Sequence, residues 1–251
     1  MGLVLLITGS SGIAEATATL AARAGHALFL VARDEAQCRE LSARLPDAGY
    51  FACDLRQESA VEESFASCIE RFGRVDAVFN VAGMSGRQFG DGPIHECSLE
   101  GWDLTLDANV KPTFLMCRAA VRHWLGATRA GSILNMSSVL ACYPEAQHFA
   151  THAYAASKGA IISLSRAMAA YYAPYRIRVN VIAPALVRTA MSARAQSDPD
   201  TREFVRHKQP LSGGMIEPVD IAETALFLLG EASRHITGQV VTVDGGWSVS
   251  G

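Results

Sequence analysis

Short apolar runs alternate with longer amphipathic segments along the whole sequence, and this alternation constrains the fold more than any other feature. Seven runs have the length and the β-branched content of buried strands: 3–7, 27–32, 50–53, 77–81, 132–136, 178–182 and 240–243. A chain that alternates strand and helix in this way forms a parallel sheet, because each helix crosses over the sheet to start the next strand.

The segments between these runs repeat their apolar residues at the spacing of helices that cover a sheet. The clearest are 13–24, 36–45, 59–72, 115–124, 155–172 and 219–229. We therefore predict an α/β, Rossmann-like doubly wound fold, a seven-stranded parallel sheet with helices on both faces. No linker, repeat or change of composition divides the sequence, so we expect a single domain over residues 1–251. The least regular segment, 188–215, is polar and contains proline, which predicts a substrate loop or lid.

Composition and charge exclude several classes of protein. Of the 251 residues, 49% are hydrophobic and 19% are charged, which is enough apolar surface for a core and argues against disorder. The net charge of -3 gives no general basic field for nucleic acid or anionic lipid. Each apolar run is far shorter than the roughly 18 residues that cross a bilayer, so we expect a cytoplasmic protein without a membrane span. The six cysteines form no C-x-x-C pair, and we predict no metal site.

A glycine-rich turn, T-G-S-S-G-I-A at residues 8–14, follows the first predicted strand and opens the first predicted helix. Free N–H groups and the positive end of the helix dipole favour an anion there, and glycine lets a phosphate approach the backbone. Such a turn is also a common plain connection between strand and helix. Its position after the first strand of a doubly wound fold favours a dinucleotide site. The predicted contacts are Gly9, Ser10, Ser11, Gly12 and Ile13.

The end of the second predicted strand bears on the choice between NADP and NAD. Arg33 and Asp34 follow this strand, where an arginine pairs with a 2′-phosphate and an acidic residue binds a ribose 2′-hydroxyl. Arg33 favours NADP(H), with NAD(H) as the alternative, because a guanidinium binds phosphate through two parallel hydrogen bonds. Asp34 either reaches the ribose or caps the next helix, and a solvated charge is the other interpretation of Arg33.

A tyrosine and a lysine, Tyr154 and Lys158, lie four residues apart at the start of a strongly helical segment and therefore share one face of the helix. A phenol with a pKa near 10 is a poor acid or base at neutral pH, and a nearby ammonium favours the phenolate. This spacing predicts a general acid and base; a surface pair on a helix is the alternative.

Two further polar residues stand where a catalytic site of this fold is expected. Ser138 follows the strand 132–136, and its hydroxyl is placed to hold a substrate carbonyl oxygen. Asn109 lies in a helical stretch, where a buried amide needs partners; it is either a structural hydrogen-bonding group or part of a proton relay.

Together these residues resemble the short-chain dehydrogenase/reductase family, and the resemblance covers the whole chain. The matching motifs are, in order, Thr8-Gly9 with Gly12-Ile13, Asp54-Leu55, Asn80-Val81-Ala82-Gly83, Asn109, Ser138, Tyr154-x-x-x-Lys158, Pro184 with Val187 and Thr189, 236–239, and 243–246. By this resemblance Tyr154 is the general acid and base, and Lys158 lowers its pKa and binds the nicotinamide ribose. Ser138 then orients the substrate carbonyl, and Asn109 completes a proton relay.

The resemblance also implies cofactor contacts and assembly. The implied contacts are Asp54 and Leu55 at the adenine, Asn80, Ala82 and Gly83 along the cofactor, and Val187 and Thr189 at the carboxamide, next to Pro184. Members of the family commonly associate through two long helices, which correspond here to 106–124 and 154–172. The resemblance therefore implies a homo-oligomer, either a tetramer or a dimer.

The glycine turn departs from the family pattern T-G-x-x-x-G-x-G at two points. One residue fewer separates Gly9 from Gly12, and Ala14 stands where the last glycine is expected. These departures motivate an alternative function, a catalytically impaired protein of the same fold that binds or senses NAD(P). An epimerase or dehydratase is a further alternative, although the short segment after Pro184 leaves little room for a nucleotide-sugar domain.

The sequence as a whole predicts an NADP(H)-preferring oxidoreductase that moves hydride between the nicotinamide and a small ketone or secondary alcohol. The segments expected to line the substrate pocket, 84–86, 141–143 and 188–215, show no charge cluster that selects a substrate class. His148 and His152 precede Tyr154 and are candidates for a second acid or base, although a loop histidine is more often a solvent-exposed side chain.

Overall fold

Seven parallel strands form one sheet in the computed structural model, which describes residues 2–250. The strands are β1 (Val4–Thr8), β2 (Ala27–Ala32), β3 (Ala48–Ala52), β4 (Ala77–Asn80), β5 (Gly131–Met136), β6 (Ile177–Pro184) and β7 (Val240–Val243). Their order in the sheet is β3-β2-β1-β4-β5-β6-β7. The chain therefore reverses its direction of winding between β1 and β4, which confirms the doubly wound fold.

Within residues 2–250, eight α-helices connect and cover the strands. They are α1 (Ile13–Arg23), α2 (Glu35–Arg44), α3 (Glu58–Phe72), α4 (Leu99–Gly126), α5 (His152–Tyr172), α6 (Ala193–Ser197), α7 (Pro199–Lys208) and α8 (Pro218–Leu229). One cluster of core residues joins the sheet to α3, α4 and α5, and a second joins it to α1, α2 and α8. Apolar residues thus fill both faces of the sheet, as parallel strands require.

Helix α4 is much longer than the segment 115–124 that its sequence pattern predicts, with 28 residues from Leu99. Ser98 starts it by accepting a hydrogen bond from the N–H of Gly101 at 3.0 Å. The helix also continues through Pro112, a residue that usually marks a helix boundary. Packing decides the outcome, because the last turns bury Trp124 completely and its indole N–H donates to the carbonyl of Val75 at 2.7 Å.

The segment 188–215 is more regular than the sequence suggests, since it contains α6 and α7. The fully buried Gln209 fixes the end of this segment to the chain after β6. Its side-chain oxygen accepts from the N–H of Leu186 at 2.8 Å, and its amide donates to the carbonyl of Gly214 at 2.8 Å. The role of the segment as a lid remains a prediction. Elsewhere in the fold, none of the helices within residues 2–250 has the length and apolar character of a membrane span.

Candidate active site

The carboxyl ends of the central strands bring most of the predicted site residues to one edge of the sheet. The glycine turn follows β1, Gly83 lies shortly after β4, and Ser138 follows β5. Thr189 lies beyond the end of β6. Ligands of open α/β sheets bind in the crevice at this edge, where the strand order reverses. The topology therefore places these residues around one crevice.

Tyr154, Lys158 and Ser138 are close together in the structure. Tyr154 and Lys158 lie one turn apart in α5, and the Lys158 Nζ is 5.5 Å from the centre of the Tyr154 ring. The Ser138 side chain is the polar neighbour that lowers the pKa of the Tyr154 hydroxyl. A tyrosine hydroxyl beside a serine hydroxyl is well placed to deliver its proton to a third oxygen in the same crevice.

The protonation of this pair differs from the sequence-based expectation. Burial raises the pKa of Tyr154 above its usual value, and the hydrogen bond from Ser138 opposes this only in part. Lys158 was expected to lower the pKa of Tyr154, but burial dominates in this structure. Burial also lowers the pKa of Lys158 to about 8, and its ammonium donates to the carbonyl of Met136 at 3.1 Å. Tyr154 thus retains its proton at neutral pH and is suited to act as an acid.

Asn109 connects the long helix α4 to two other parts of the site. Its buried side-chain oxygen accepts from the N–H of Met84 at 2.7 Å, and its amide donates to the Met84 carbonyl at 3.1 Å and to the Ser157 hydroxyl at 3.0 Å. A Cβ on Gly83 would lie 2.8 Å from this oxygen and 3.3 Å from the Lys158 Nζ. These contacts favour the structural interpretation of Asn109, while its role in a proton relay remains a prediction.

Asp91 holds the first turn of α5 in place, and the sequence analysis did not identify it. Its buried carboxylate accepts from the N–H groups of Ala153 and Tyr154, both at 2.9 Å. The next carbonyl, that of Gly92, accepts from the N–H of His152 at 3.1 Å. Helix α5 has no side-chain cap of its own within residues 2–250, so this distant segment satisfies its free N–H groups. No local sequence signal identifies a cap that comes from so far along the chain.

We expect Asp91→Ala to lower the free energy of unfolding by about 2 kcal/mol, because it leaves buried N–H groups of α5 without an acceptor. Asp103→Ala, at an exposed position of α4, is the matched control. Chemical denaturation of both variants measures the difference. Equal stability of the two variants would show that the Asp91 contacts contribute nothing measurable.

The glycine turn has the geometry that a phosphate requires. Gly9 and Gly12 have φ values of 109° and 57°, which other residues rarely adopt. In the described chain no side chain caps the start of α1, so its first N–H groups and its positive dipole end remain available to an anion. A Cβ on Gly12 would lie 3.0 Å from the Thr189 side chain. The turn therefore fits a pyrophosphate group, with Thr189 directly opposite.

The alanine at the last position of the glycine motif fits the fold. Ala14 is fully buried, and a Cβ on Gly9 would lie 3.1 Å from the Ala14 methyl group. The N–H of Gly9 donates to the carbonyl of Val31 at 2.9 Å and thereby fixes the shortened turn to β2. The methyl group of Ala14 thus fills the space between the helix and the turn.

The structure decides between the two alternatives for Asp34, the ribose contact and the helix cap. The Asp34 carboxylate caps α2, because it accepts from the backbone N–H of Gln37 at 3.0 Å and from its side-chain amide at 2.9 Å. Arg33 is exposed, and its side chain forms no hydrogen bond or ion pair with any residue from 2 to 250. Of the two side chains, Arg33 is therefore the one available to a cofactor.

The side chains of other implied cofactor contacts already pair or pack within the protein. Asp54 pairs with Arg56 at 2.6 Å, and this hydrogen-bonded partner lowers the pKa of Asp54 to about 2. Leu55 and Val187 are each 6% exposed and belong to the two core clusters. Their side chains therefore pack inward, and only their backbones remain for a cofactor. Pro184, the last residue of β6, is buried as well.

Asn80 departs from the prediction that it lines the cofactor. It is 3% exposed, and its amide donates to the side-chain oxygen of Asn135 at 2.8 Å, inside the protein between β4 and β5. The turn after it is fixed by Thr8, whose hydroxyl oxygen accepts from the N–H groups of Val81 and Ala82 at 3.0 and 3.1 Å. The Asn80 side chain thus stabilises the sheet, while Ala82 and Gly83 follow toward the crevice.

Comparison with known proteins identifies the family. The profile described as enoyl-(acyl carrier protein) reductase matches residues 7–248. The D-threitol dehydrogenase of Mycolicibacterium smegmatis is 34% identical over 253 residues, which cover 99% of this chain and 94% of that protein. The fold and these matches define an oxidoreductase of the doubly wound class. The chain belongs to the short-chain dehydrogenase/reductase family.

Two solved structures are similar over nearly their whole length. The 3-ketoacyl-(acyl-carrier-protein) reductase from Brucella melitensis, complexed with NADH, has a TM-score of 0.87 and 28% identity, with 99% of both chains covered. A variant of actinorhodin polyketide ketoreductase with NADPH has a TM-score of 0.89 and 26% identity, over 99% of this chain and 98% of that one. The two similar proteins thus contain different forms of the nicotinamide cofactor.

Proposed function

We propose that this protein is an NADP(H)-preferring oxidoreductase that transfers hydride between the nicotinamide and a small ketone or secondary alcohol. The observation that carries the proposal is the grouping of three side chains: Lys158 lies 5.5 Å from the centre of the Tyr154 ring on the same face of α5, and Ser138 is a polar neighbour of the Tyr154 hydroxyl. The bound cofactor supplies or accepts the hydride. Tyr154 donates the matching proton to the carbonyl oxygen, and Ser138 holds that oxygen in place.

Arg33 supports the preference for NADP(H), because its guanidinium stands free where a 2′-phosphate is expected. We expect the protein to bind NADPH at least tenfold more tightly than NADH, a difference of about 1.4 kcal/mol. Titration followed by nicotinamide fluorescence measures both affinities. Arg33→Gln is expected to abolish the difference by weakening NADPH binding alone.

Arg23→Gln, at an exposed position in the last turn of α1, is the matched control for the loss of one positive charge. A wild-type protein that binds both cofactors equally would contradict the role of Arg33. A protein that binds neither would instead favour the alternative that the shortened glycine turn has impaired the cofactor site.

The alternative of an impaired NAD(P)-binding or sensing protein rests on the shortened turn. A binding protein has no need for a tyrosine, a serine and a lysine grouped inside the cofactor crevice. Turnover of any ketone with NADPH would exclude this alternative.

Assembly and location are also part of the proposal. We propose a homo-oligomer, tetramer or dimer, that associates through α4 and α5. Exposed aromatic side chains lie on or just after these helices, including Phe114 at 42%, Tyr171 at 66% and Tyr175 at 49%. Exposed apolar surface of this kind is typical of protein contacts. Light scattering of the purified protein tests the assembly. We further propose that the protein is cytoplasmic.

A further inference from the structure

Two arginines from different parts of the chain meet beside the active site. Arg87 follows β4 and Arg194 lies in α6, and both donate to the carbonyl of His148, at 3.2 and 3.0 Å. His148 belongs to the loop between β5 and α5. Arg87, the His148 loop and α6 thus lie in segments that follow β4, β5 and β6, respectively. The carboxyl ends of these strands border the cofactor crevice. The two guanidinium groups therefore lie side by side where a substrate is expected to enter.

The neighbouring carboxylates attract this pair without contacting it. Asp91 attracts Arg87, but both of its oxygens accept hydrogen bonds from α5. Asp198 attracts Arg194, but its carboxylate accepts from a threonine hydroxyl. Among residues 2–250, neither arginine has a carboxylate within ion-pair distance. The direct partner that the two guanidinium groups share is one carbonyl oxygen with a partial charge.

The positive charges of Arg87 and Arg194 repel each other. Burial lowers the pKa of Arg87, and the positive charge of Arg194 lowers it further. An oxyanion bound between the two guanidinium groups would remove this repulsion and would gain charge-assisted hydrogen bonds from both.

An apolar wall borders the arginine pair. The Arg194 guanidinium lies 6.0 Å from the centre of the Phe149 ring. This ring is 5.7 Å from that of Trp247, which is in turn 5.7 Å from Phe204. Aromatic rings beside two positive charges fit a substrate with a compact carbon body and one anionic group.

We infer that Arg87 and Arg194 form an anion subsite that selects ketone or alcohol substrates bearing a carboxylate or a phosphate. The inference rests on the proposed function and deepens it, because it names the class of substrate. Asp91 links the two regions, since the carboxylate that attracts Arg87 also binds the N–H of Tyr154. The anionic group is therefore expected to bind at the same edge of the sheet as the reacting carbonyl.

Two pairs of ketones test this subsite with NADPH. The first pair is 4-oxocyclohexanecarboxylate and its methyl ester, and the second is dihydroxyacetone phosphate and dihydroxyacetone. Within at least one pair we expect kcat/KM to be at least tenfold higher for the anion, and the pair that responds distinguishes carboxylate from phosphate. Arg87→Gln and Arg194→Gln are each expected to reduce this preference below threefold, because they lower kcat/KM for the anion more than for the neutral ketone.

Arg206→Gln is the matched control, because this arginine lies in the nearby helix α7 and pairs with Glu203. It is expected to retain the full preference for the anion. Equal use of the charged and neutral ketones, or a preference that survives both arginine substitutions, would overturn the subsite.

A binding measurement separates this inference from the proposed function. If no ketone is reduced, calorimetric titration of the protein saturated with NADP⁺ with the two anionic ketones still tests the subsite. Binding that is lost in Arg87→Gln and Arg194→Gln, but kept in Arg206→Gln, would support the subsite even if the proposed reaction fails. Absence of binding in the wild-type protein would contradict it.

Discussion

Replacing Tyr154 with phenylalanine is expected to lower kcat by about 10²- to 10⁴-fold, the usual contribution of general acid–base catalysis. The substitution keeps the ring in α5 and removes only the hydroxyl, whose pKa Ser138 lowers. Because the burial of Tyr154 raises its pKa, the wild-type hydroxyl stays protonated at neutral pH and is ready to donate to a ketone. Without it, no group at this position supplies the proton.

Steady-state kinetics with NADPH and a reducible ketone measure this loss, and fluorescence titration measures cofactor affinity in the same preparations. Affinity for NADPH is expected to stay within about twofold of the wild-type value, since the lost hydroxyl acts on the substrate. Tyr175→Phe, at an exposed position after α5, is the matched control. A Tyr154→Phe protein with near wild-type kcat would show that another group transfers the proton.

Replacing Lys158 with methionine is expected to lower kcat/KM for ketone reduction by about 10²-fold, the typical cost of removing one group that stabilises developing charge. When Tyr154 gives up its proton, the phenolate lies beside the Lys158 ammonium, whose Nζ is 5.5 Å from the centre of the ring. Methionine matches the length of lysine but carries no charge. The phenolate then forms in a buried site without a positive neighbour.

The pH dependence of ketone reduction gives a second signature of Lys158. Its pKa is lowered to about 8, so the ammonium is present below this pH and loses its proton as the pH rises through it. The rate of reduction is therefore expected to be level below about pH 8 and to fall above it. In Lys158→Met this fall is expected to disappear. A wild-type rate that does not change across this range would contradict the assignment.

Stability distinguishes catalysis by Lys158 from a structural role. Burial lowers the pKa of Lys158 below that of an exposed lysine, so the charged form destabilises the folded state at neutral pH. This cost is present below pH 8, and the free energy of unfolding is expected to rise as the pH increases from about 8 toward 10.5, the ordinary lysine value. Lys158→Met removes the buried charge and is expected to be no less stable than the wild-type protein at pH 7. A large loss of stability would instead indicate a structural role.

Some structural features followed from residues close together in the sequence. The alternation of apolar runs and helical segments predicted the doubly wound sheet, and the predicted strands agree with the observed ones within a few residues at their ends. Tyr154 and Lys158 share a face of α5 because their four-residue spacing is one helical turn. The position of the glycine turn between β1 and α1 is also a local property.

Other features depend on contacts between residues that are far apart in the sequence. Asn80 follows the family motif, yet its side chain turns into the protein because Asn135 on the neighbouring strand offers a partner. The pKa of Tyr154 rises because burial outweighs the opposing effect of Ser138, and burial depends on the whole fold.

The sequence by itself determined the class of fold and the shared helical face of Tyr154 and Lys158, because helical and strand periodicity arise between near neighbours. Its motifs also indicated the family. Only the tertiary structure showed that Asp91 caps α5 and that Arg87 and Arg194 converge on His148. Each of these contacts joins loops that follow different strands of a parallel sheet. Such loops come together because all the strands end at the same edge, whereas the helices that separate them place the same residues far apart along the chain.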